Sequence, residues 1–165
     1  MLWFLLATIL LTPLQGAGEE CGFRGLIFRV AGGWARGARA GLVLGIVVSS
    51  VLFALVHLST DVWLNAWYLV FAVGLSLITW LAGGIEIAIV LHAMFNTVNF
   101  VFDVALRVDM GTAYDRSAGV ASVETLAPMA VIVIAVVVVW VRTRGVGVVR
   151  VPVDAEARVE AVNTV

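Results

Sequence analysis

The chain has 165 residues, of which 62% are hydrophobic and 13% are charged, and its formal net charge is −1. Soluble domains carry roughly 45–50% apolar and about 25% charged residues. This composition, with a mean hydropathy of +1.10, excludes an ordinary soluble domain and indicates an integral membrane protein. The small net charge predicts no interaction with nucleic acid, and the single cysteine, Cys21, excludes an internal disulfide.

The apolar segments predict an all-α, polytopic bundle of about five transmembrane helices, because open strands leave backbone groups unsatisfied in lipid. The first segment covers residues 1–18 and continues to 31. Within it, Pro13, Gly16 and Gly18 predict either a kink or a new helix that starts near Glu19. Further segments of about 20 residues, enough to cross the hydrocarbon core, follow at 41–58, 62–82, 84–106 and 124–142.

These segments divide the chain into four parts. A helical core at 1–106 contains every polar motif described below, and a polar loop follows at 107–123. An additional transmembrane helix is predicted at 124–142. The tail at 143–165 is of mixed polar composition and is predicted to be disordered.

The distribution of arginine predicts the orientation in the membrane. Arg29, Arg36 and Arg39 surround the first connection between helices, and a second group follows the last helix. Four spans separate the two groups, so both lie on one face, which the positive-inside rule makes cytoplasmic. Met1 then lies outside with no preceding helix, so we expect one or more upstream helices to be missing. The lack of lysine, with many Val, Ala and Gly residues, suggests a bacterial plasma membrane.

A cluster of charges interrupts the first apolar segment in the sequence GAGEECGFRG. A charge at the bilayer centre costs roughly 2.5–3.5 kcal/mol, so these side chains must pair or face a wet cavity. Glu20 and Arg24 are four residues apart and share a helix face, where they can pair. Glu19 points about 100° away and is the available carboxylate. Alternatively, the two glutamates begin a helix at the membrane surface, and Arg24 extends to the interface.

Both histidines of the chain lie in apolar segments. The sequence FALVH spaces Phe53 and His57 four residues apart, and HAMFN does the same for His92 and Asn96. A rise of about 1.5 Å per residue places these polar groups and Glu19 at roughly one depth. Each polar residue alone also fits a structural hydrogen bond between helices. Together they provide the base, the acid or ligand, and the oxyanion donor of hydrolytic chemistry.

Three motifs in order, EECGFR, FALVH and HAMFN, resemble the EExxxR, FxxxH and HxxxN motifs of the CPBP family of intramembrane proteases. This family is also called the Abi family and includes the CAAX prenyl endopeptidases. The resemblance covers about residues 8–104. It implies six catalytic residues, which are Glu19, Glu20, Arg24, His57, His92 and Asn96.

The resemblance also implies a role for each motif. Glu19 would be the general base that activates water, and Glu20 with Arg24 would support it. His57 would help to hold or polarise that water, and the HAMFN pair would stabilise the oxyanion. The family is often labelled as metalloproteases, although a metal-free glutamate mechanism is also argued for it. Zn²⁺ is therefore a possible cofactor, with His57 and His92 as tentative ligands beside a carboxylate.

The expected function is that of an intramembrane endopeptidase that cleaves membrane-associated proteins or peptides. For a bacterial chain we expect substrates other than prenylated CAAX proteins. The alternative is a catalytically inactive membrane scaffold or bacteriocin-immunity-type protein that retains the motifs as a structural network. A proton or ion conduit lined by the same residues is a third hypothesis.

Overall fold

The boundaries of the helices lie close to those of the predicted apolar segments. The computed structural model describes residues 2–145, and its first span consists of α1 (Leu2–Glu20), a π-helical segment (Cys21–Ile27) and α2 (Phe28–Gly33). The later elements are α3 (Ala38–Val56), α4 (Val62–Ala82), α5 (Glu86–Ala105), the short α6 (Met110–Ala113), a 3₁₀ turn (Val123–Thr125) and α7 (Leu126–Thr143). Within the described residues there are five membrane-length apolar helices and no strand, which confirms the all-α, polytopic class.

One of the two expectations for the first span was a new helix that starts near Glu19, and the structure shows no such restart. The helix continues through Pro13 and both glycines, and it widens into the π-helical segment directly after Glu20. Gly16 serves close packing instead of ending the helix, because a Cβ there would lie 3.2 Å from the Ala93 backbone nitrogen of α5. At Gly16, the sequence signal for a break therefore marks a tight contact between α1 and α5.

The π-helical segment is stabilised from α3. In a π-helix the amide of residue i+5 bonds to the carbonyl of residue i, and here the Phe28 amide donates to the Phe23 carbonyl. The Ser49 hydroxyl of α3 donates to the same carbonyl at 2.9 Å. This second bond fixes the wide turn against its neighbour and holds the adjacent charged residues in place.

Helix α4 is the centre of the bundle and packs against α3, α5 and α7. Its buried residues Phe71, Leu75 and Ile78 form a core with Phe53 of α3 and Ile132 of α7. Helix α1 packs mainly on α5, and α2 packs on α3. The outer faces of the helices are apolar and exposed, as expected where a bundle meets lipid.

Both ends of α4 carry a local stop signal. Asp61 caps the N-terminus, where its carboxylate accepts from the Leu64 amide at 2.9 Å. Gly83 ends the helix in the left-handed conformation with φ of 76°, which glycine adopts without a steric penalty. The α3–α4 and α4–α5 turns are therefore short and sharp.

The polar loop packs back on the bundle at the α3–α4 turn. The Thr60 amide donates to the Arg116 carbonyl at 2.9 Å, and the Gly119 amide donates to the Asp61 carboxylate at 2.8 Å. The arginine-rich connection precedes α3 and this docked loop lies at its other end, so the two occupy opposite ends of the bundle. Which end is cytoplasmic stays a prediction. The predicted tail lies, from residue 146 onward, outside the described residues.

The contact between α2 and α3 gives a test of the packing. A Cβ at Gly45 would lie 2.6 Å from the Phe28 carbonyl oxygen, a backbone atom that cannot rotate away. We expect Gly45→Ala to destabilise the protein by roughly 1–3 kcal/mol, as overpacking does. Thermal unfolding in detergent micelles, followed by tryptophan fluorescence, measures this. The control is Gly18→Ala, where no atom lies within 4 Å of the new Cβ. Equal melting temperatures for the two variants would contradict the packing.

Candidate active site

A cavity of about 330 Å³ opens between α1, the end of α3, α4 and α5, and the polar loop covers one side of it. Four of the six residues predicted to be catalytic lie on its wall, namely Glu19, His57, His92 and Asn96. The structure therefore brings together the side chains that the depth count placed at one level. The other two, Glu20 and Arg24, lie fully buried behind the wall.

The buried centre of the site is the carboxylate of Glu20. Its Oε1 accepts from Arg24 Nη1 at 2.9 Å and from His92 Nδ1 at 2.7 Å. Arg24 Nη2 also donates to the Ala72 carbonyl of α4 at 3.1 Å. A carboxylate at this position only accepts, so the Nδ1 atom of His92 carries a proton. The predicted pair of Glu20 and Arg24 is thus present, and it extends to a histidine 72 residues away.

Glu19 differs from Glu20 in exposure. Its side chain is 27% exposed, whereas that of Glu20 is 0% exposed. The Glu19 Oε1 atom accepts from Gln15 Nε2 at 2.9 Å, and Oε2 lies 3.6 Å from His92 Nε2. The second distance exceeds a hydrogen bond. Gln15 was missed by the sequence reasoning, although its spacing of four residues from Glu19 is the signal that would have found it.

Phe53 separates the two imidazoles and packs against both. Its ring centroid lies 4.6 Å from that of His57 and 5.8 Å from that of His92. The Arg24 guanidinium lies 4.7 Å from the Phe53 centroid, a distance that allows a cation–π interaction. The predicted contact of Phe53 with His57 is therefore present, and the same ring also covers the buried arginine.

His57 is the first residue after α3, and its ring is held from two sides. Nδ1 lies 2.7 Å from the Phe53 carbonyl, and the ring stacks on Tyr68 with centroids 4.0 Å apart. A carbonyl only accepts, so Nδ1 carries the proton and Nε2 is an acceptor. Arg116 Nη1 donates to the His57 carbonyl at 2.6 Å.

The sequence reasoning did not assign several other cavity residues to the site, and it interpreted Asn99 and Asp103 as a structural pair. Asn99 and Asp103 continue the stripe that Asn96 begins on α5, and helical spacing is the signal that would have found them. Arg116 could not be found in this way, because it reaches the cavity from a loop 59 residues beyond His57.

Asp61 holds the loop that carries Arg116. Its carboxylate is buried and accepts from the Gly119 amide at 2.8 Å and from the Ala121 amide at 3.4 Å, besides capping α4. The hydrogen bond from the Leu64 amide is the main reason why the pKa of Asp61 lies below its ordinary value, and the loop amides lower this pKa further. The carboxylate is therefore ionised at neutral pH, as these contacts require.

The sequence motifs raised Zn²⁺ as a possible cofactor of this site. Among residues 2–145, no group of three or more His, Cys, Asp or Glu side chains is arranged to hold a metal. Nδ1 of His92 is bonded to Glu20, and Nδ1 of His57 to a backbone carbonyl, so Nε2 is the atom of each ring that a metal could bind. Among the described residues, these two rings and the nearby carboxylates are not arranged as a preformed three-ligand zinc site. Metal dependence, with His57 and His92 as ligands, stays a prediction.

The fold and the site define a membrane-embedded protein with a carboxylate and histidine centre, the class to which the three sequence motifs pointed. The family model described as "Type II CAAX prenyl endopeptidase Rce1-like" matches residues 1–98, which include all three motifs. The chain belongs to this family, which confirms the resemblance to the CPBP and CAAX proteases. Comparisons with curated proteins and with solved structures found no match.

The buried ion pair gives a prediction about stability. Arg24→Met leaves Glu20 without its cation in a fully buried position, and breaking a buried pair costs about 3–5 kcal/mol. We expect a large fall in the melting temperature in detergent micelles. The matched control is Arg29→Met, at an exposed arginine five residues later. The double variant Glu20→Gln with Arg24→Met should recover part of the lost stability. Equal melting temperatures of Arg24→Met and Arg29→Met would contradict the prediction.

Proposed function

We propose that this protein is an intramembrane endopeptidase that hydrolyses peptide bonds of membrane-associated proteins or peptides, with Glu19 as the base. The main support is the contrast between two adjacent carboxylates. Glu20 is enclosed and bonded to a cation and a histidine, whereas Glu19 has one oxygen directed to the cavity near His92. Family membership supports a peptidase of the CAAX type.

In the first step, Glu19 accepts a proton from water, and the resulting hydroxide attacks the carbonyl carbon of the scissile bond. Gln15 keeps Oε1 of Glu19 occupied, so Oε2 is the oxygen available to the water. Nε2 of His57 is an unprotonated acceptor at the same cavity and can accept the other hydrogen of this water. Two acceptors at the same cavity would thus orient one nucleophile.

The attack converts the carbonyl oxygen into an oxyanion, which needs hydrogen-bond donors. Asn96 can donate from its amide, and His92 in its imidazolium form can donate from Nε2, the ring atom that faces Glu19. Glu20 accepts from Nδ1 and holds the ring in this orientation. When the tetrahedral intermediate collapses, the C–N bond breaks and the proton held by Glu19 passes to the leaving amine.

The cavity also suits a peptide that arrives from the lipid. Trp67, Phe71 and Phe100 provide aromatic surface, and Asn99 provides polar groups for an extended backbone. A helical substrate must unwind to be cleaved, and its freed backbone groups then need such partners in the membrane. We propose that the substrates carry no prenyl group. We also propose that the protein lies in a bacterial plasma membrane, with the arginine-rich turn on the cytoplasmic side.

The inactive-scaffold alternative accounts for only part of this arrangement. A structural network explains why Glu20, Arg24 and His92 are buried and bonded to one another. It gives no reason to place a second, partly exposed carboxylate beside His92 at a polar cavity. Hydrolysis needs that second carboxylate, and so the enzyme is the better account.

The test compares Glu19→Gln with the wild-type protein in proteoliposomes. The probes are a single-span peptide with a terminal fluorophore and a farnesylated peptide with a CAAX terminus. Glutamine keeps the shape and the bond to Gln15 but cannot act as a base. We therefore expect cleavage to fall by about 10²–10⁴-fold, the usual contribution of a general base.

The matched control is Glu86→Gln, an exposed glutamate in the first turn of α5 that does not line the cavity. This variant should cleave at the wild-type rate. Full cleavage by Glu19→Gln would reject the role of Glu19. Absence of cleavage of both peptides by the wild-type protein would favour the scaffold. Cleavage of the farnesylated peptide alone would reject the proposed substrate class.

A further inference from the structure

The polar loop forms hydrogen bonds to the bundle at the turn that follows His57. The Arg116 carbonyl accepts from the Thr60 amide at 2.9 Å and from the hydroxyls of Ser59 and Thr60 at 3.3 Å. The Asp61 carboxylate accepts the Gly119 and Ala121 amides. A loop carbonyl thus accepts hydrogen bonds from the turn, and a carboxylate of the turn accepts hydrogen bonds from the loop amides.

The end of α3 depends on this attachment. The last carbonyls of a helix have no partner within the helix, and a side-chain cation is a favourable cap for them. Arg116 Nη1 supplies this cap by donating to the His57 carbonyl at 2.6 Å. The next residue, Leu58, has a φ of 51°, a left-handed conformation that persists in a non-glycine residue only where the surroundings enforce it.

Arg116 also contacts the group that holds the His57 ring. Its guanidinium lies 5.9 Å from the centroid of Tyr68, whose ring stacks on His57. Arg116 is therefore connected to His57 twice, through the backbone carbonyl and through the stacked tyrosine. It lines the cavity without being one of the predicted catalytic residues.

We propose that Arg116 is a positioning residue for His57, and that the loop held by Asp61 is a functional part of the active site. This inference rests on the proposed hydrolytic function. It assigns a role to a segment that lies beyond residues 1–98, where the family match ends. Loss of the cap frees the last turn of α3, so the imidazole samples several orientations and spends less time in the one that holds water.

The first experiment measures peptide cleavage in proteoliposomes by Arg116→Met and Arg116→Lys. Methionine removes the hydrogen bonds and the charge, and a misplaced catalytic group typically costs about 10²-fold in rate. We expect Arg116→Met to lower kcat by about 10²-fold and to leave KM little changed. Arg116→Lys should restore part of the lost kcat. Arg107→Met is the matched control, since this exposed loop arginine does not line the cavity.

A second variant tests whether Asp61 acts through the loop. Asparagine is also a good helix cap, so Asp61→Asn retains an acceptor for the Leu64 amide. Its amino group, however, would face the Gly119 and Ala121 amides and repel the loop. We expect the same loss of kcat as in Arg116→Met and no further loss in the double variant, because both changes undo one attachment.

A spectroscopic measurement tests, independently of cleavage, whether Arg116 positions the His57 imidazole. The chain has two histidines, so ¹⁵N-histidine labelling gives two imidazole rings, and His92 serves as the internal control. In the wild-type protein, His57 should show a single tautomer with the proton on Nδ1. In Arg116→Met the His57 signals should split or broaden at constant pH, while those of His92 stay unchanged.

The outcomes separate this inference from the proposed function. If the wild-type protein cleaves nothing, the proposed function fails, and the imidazole spectra still test the positioning of His57. A rise in KM with unchanged kcat would overturn the inference and assign Arg116 to substrate binding. Unchanged His57 signals in Arg116→Met would overturn it whatever the kinetics show.

Discussion

The site depends on one buried carboxylate. Glu20 Oε1 accepts from Arg24 within the first span and from His92 on α5, while Arg24 also donates to the Ala72 carbonyl of α4. A lone charge in the bilayer interior is costly, so each of these groups requires the others. The resulting network joins three helices at one depth and fixes the tautomer of the histidine.

The same network makes two neighbouring glutamates chemically different. The α-helix ends at Glu20 and a π-helical segment follows. Arg24 in this segment donates to Glu20 behind the cavity, while Glu19 lies at the cavity wall. Burial and two strong donors commit Glu20 to structure. Glu19 has one weak neutral partner and partial exposure, which suit a group that must bind and release a proton.

The side of the cavity that contains His57 is held by a capped helix end and not by a buried ion pair. His57 lies where α3 ends, and helix ends are weak points unless their carbonyls are capped. A loop from much later in the chain supplies the cap through Arg116, and a buried aspartate at the α4 N-terminus holds the loop. Rigid helices therefore place Glu19 and His92, whereas His57 depends on a loop for its position.

The sequence alone determined the membrane class, the helix count and four residues that line the cavity, which are Glu19, His57, His92 and Asn96. Composition and apolar length decide the first two in lipid, and the spacing of four residues places Glu20 beside Arg24 and Phe53 beside His57. Only the tertiary structure decided how the helices meet. The pairing of His92 with Glu20, the close contact of Gly16 with Ala93 and the docking of Arg116 involve residues far apart in the chain. Local periodicity carries no information about such contacts, because they depend on helix packing and loop closure.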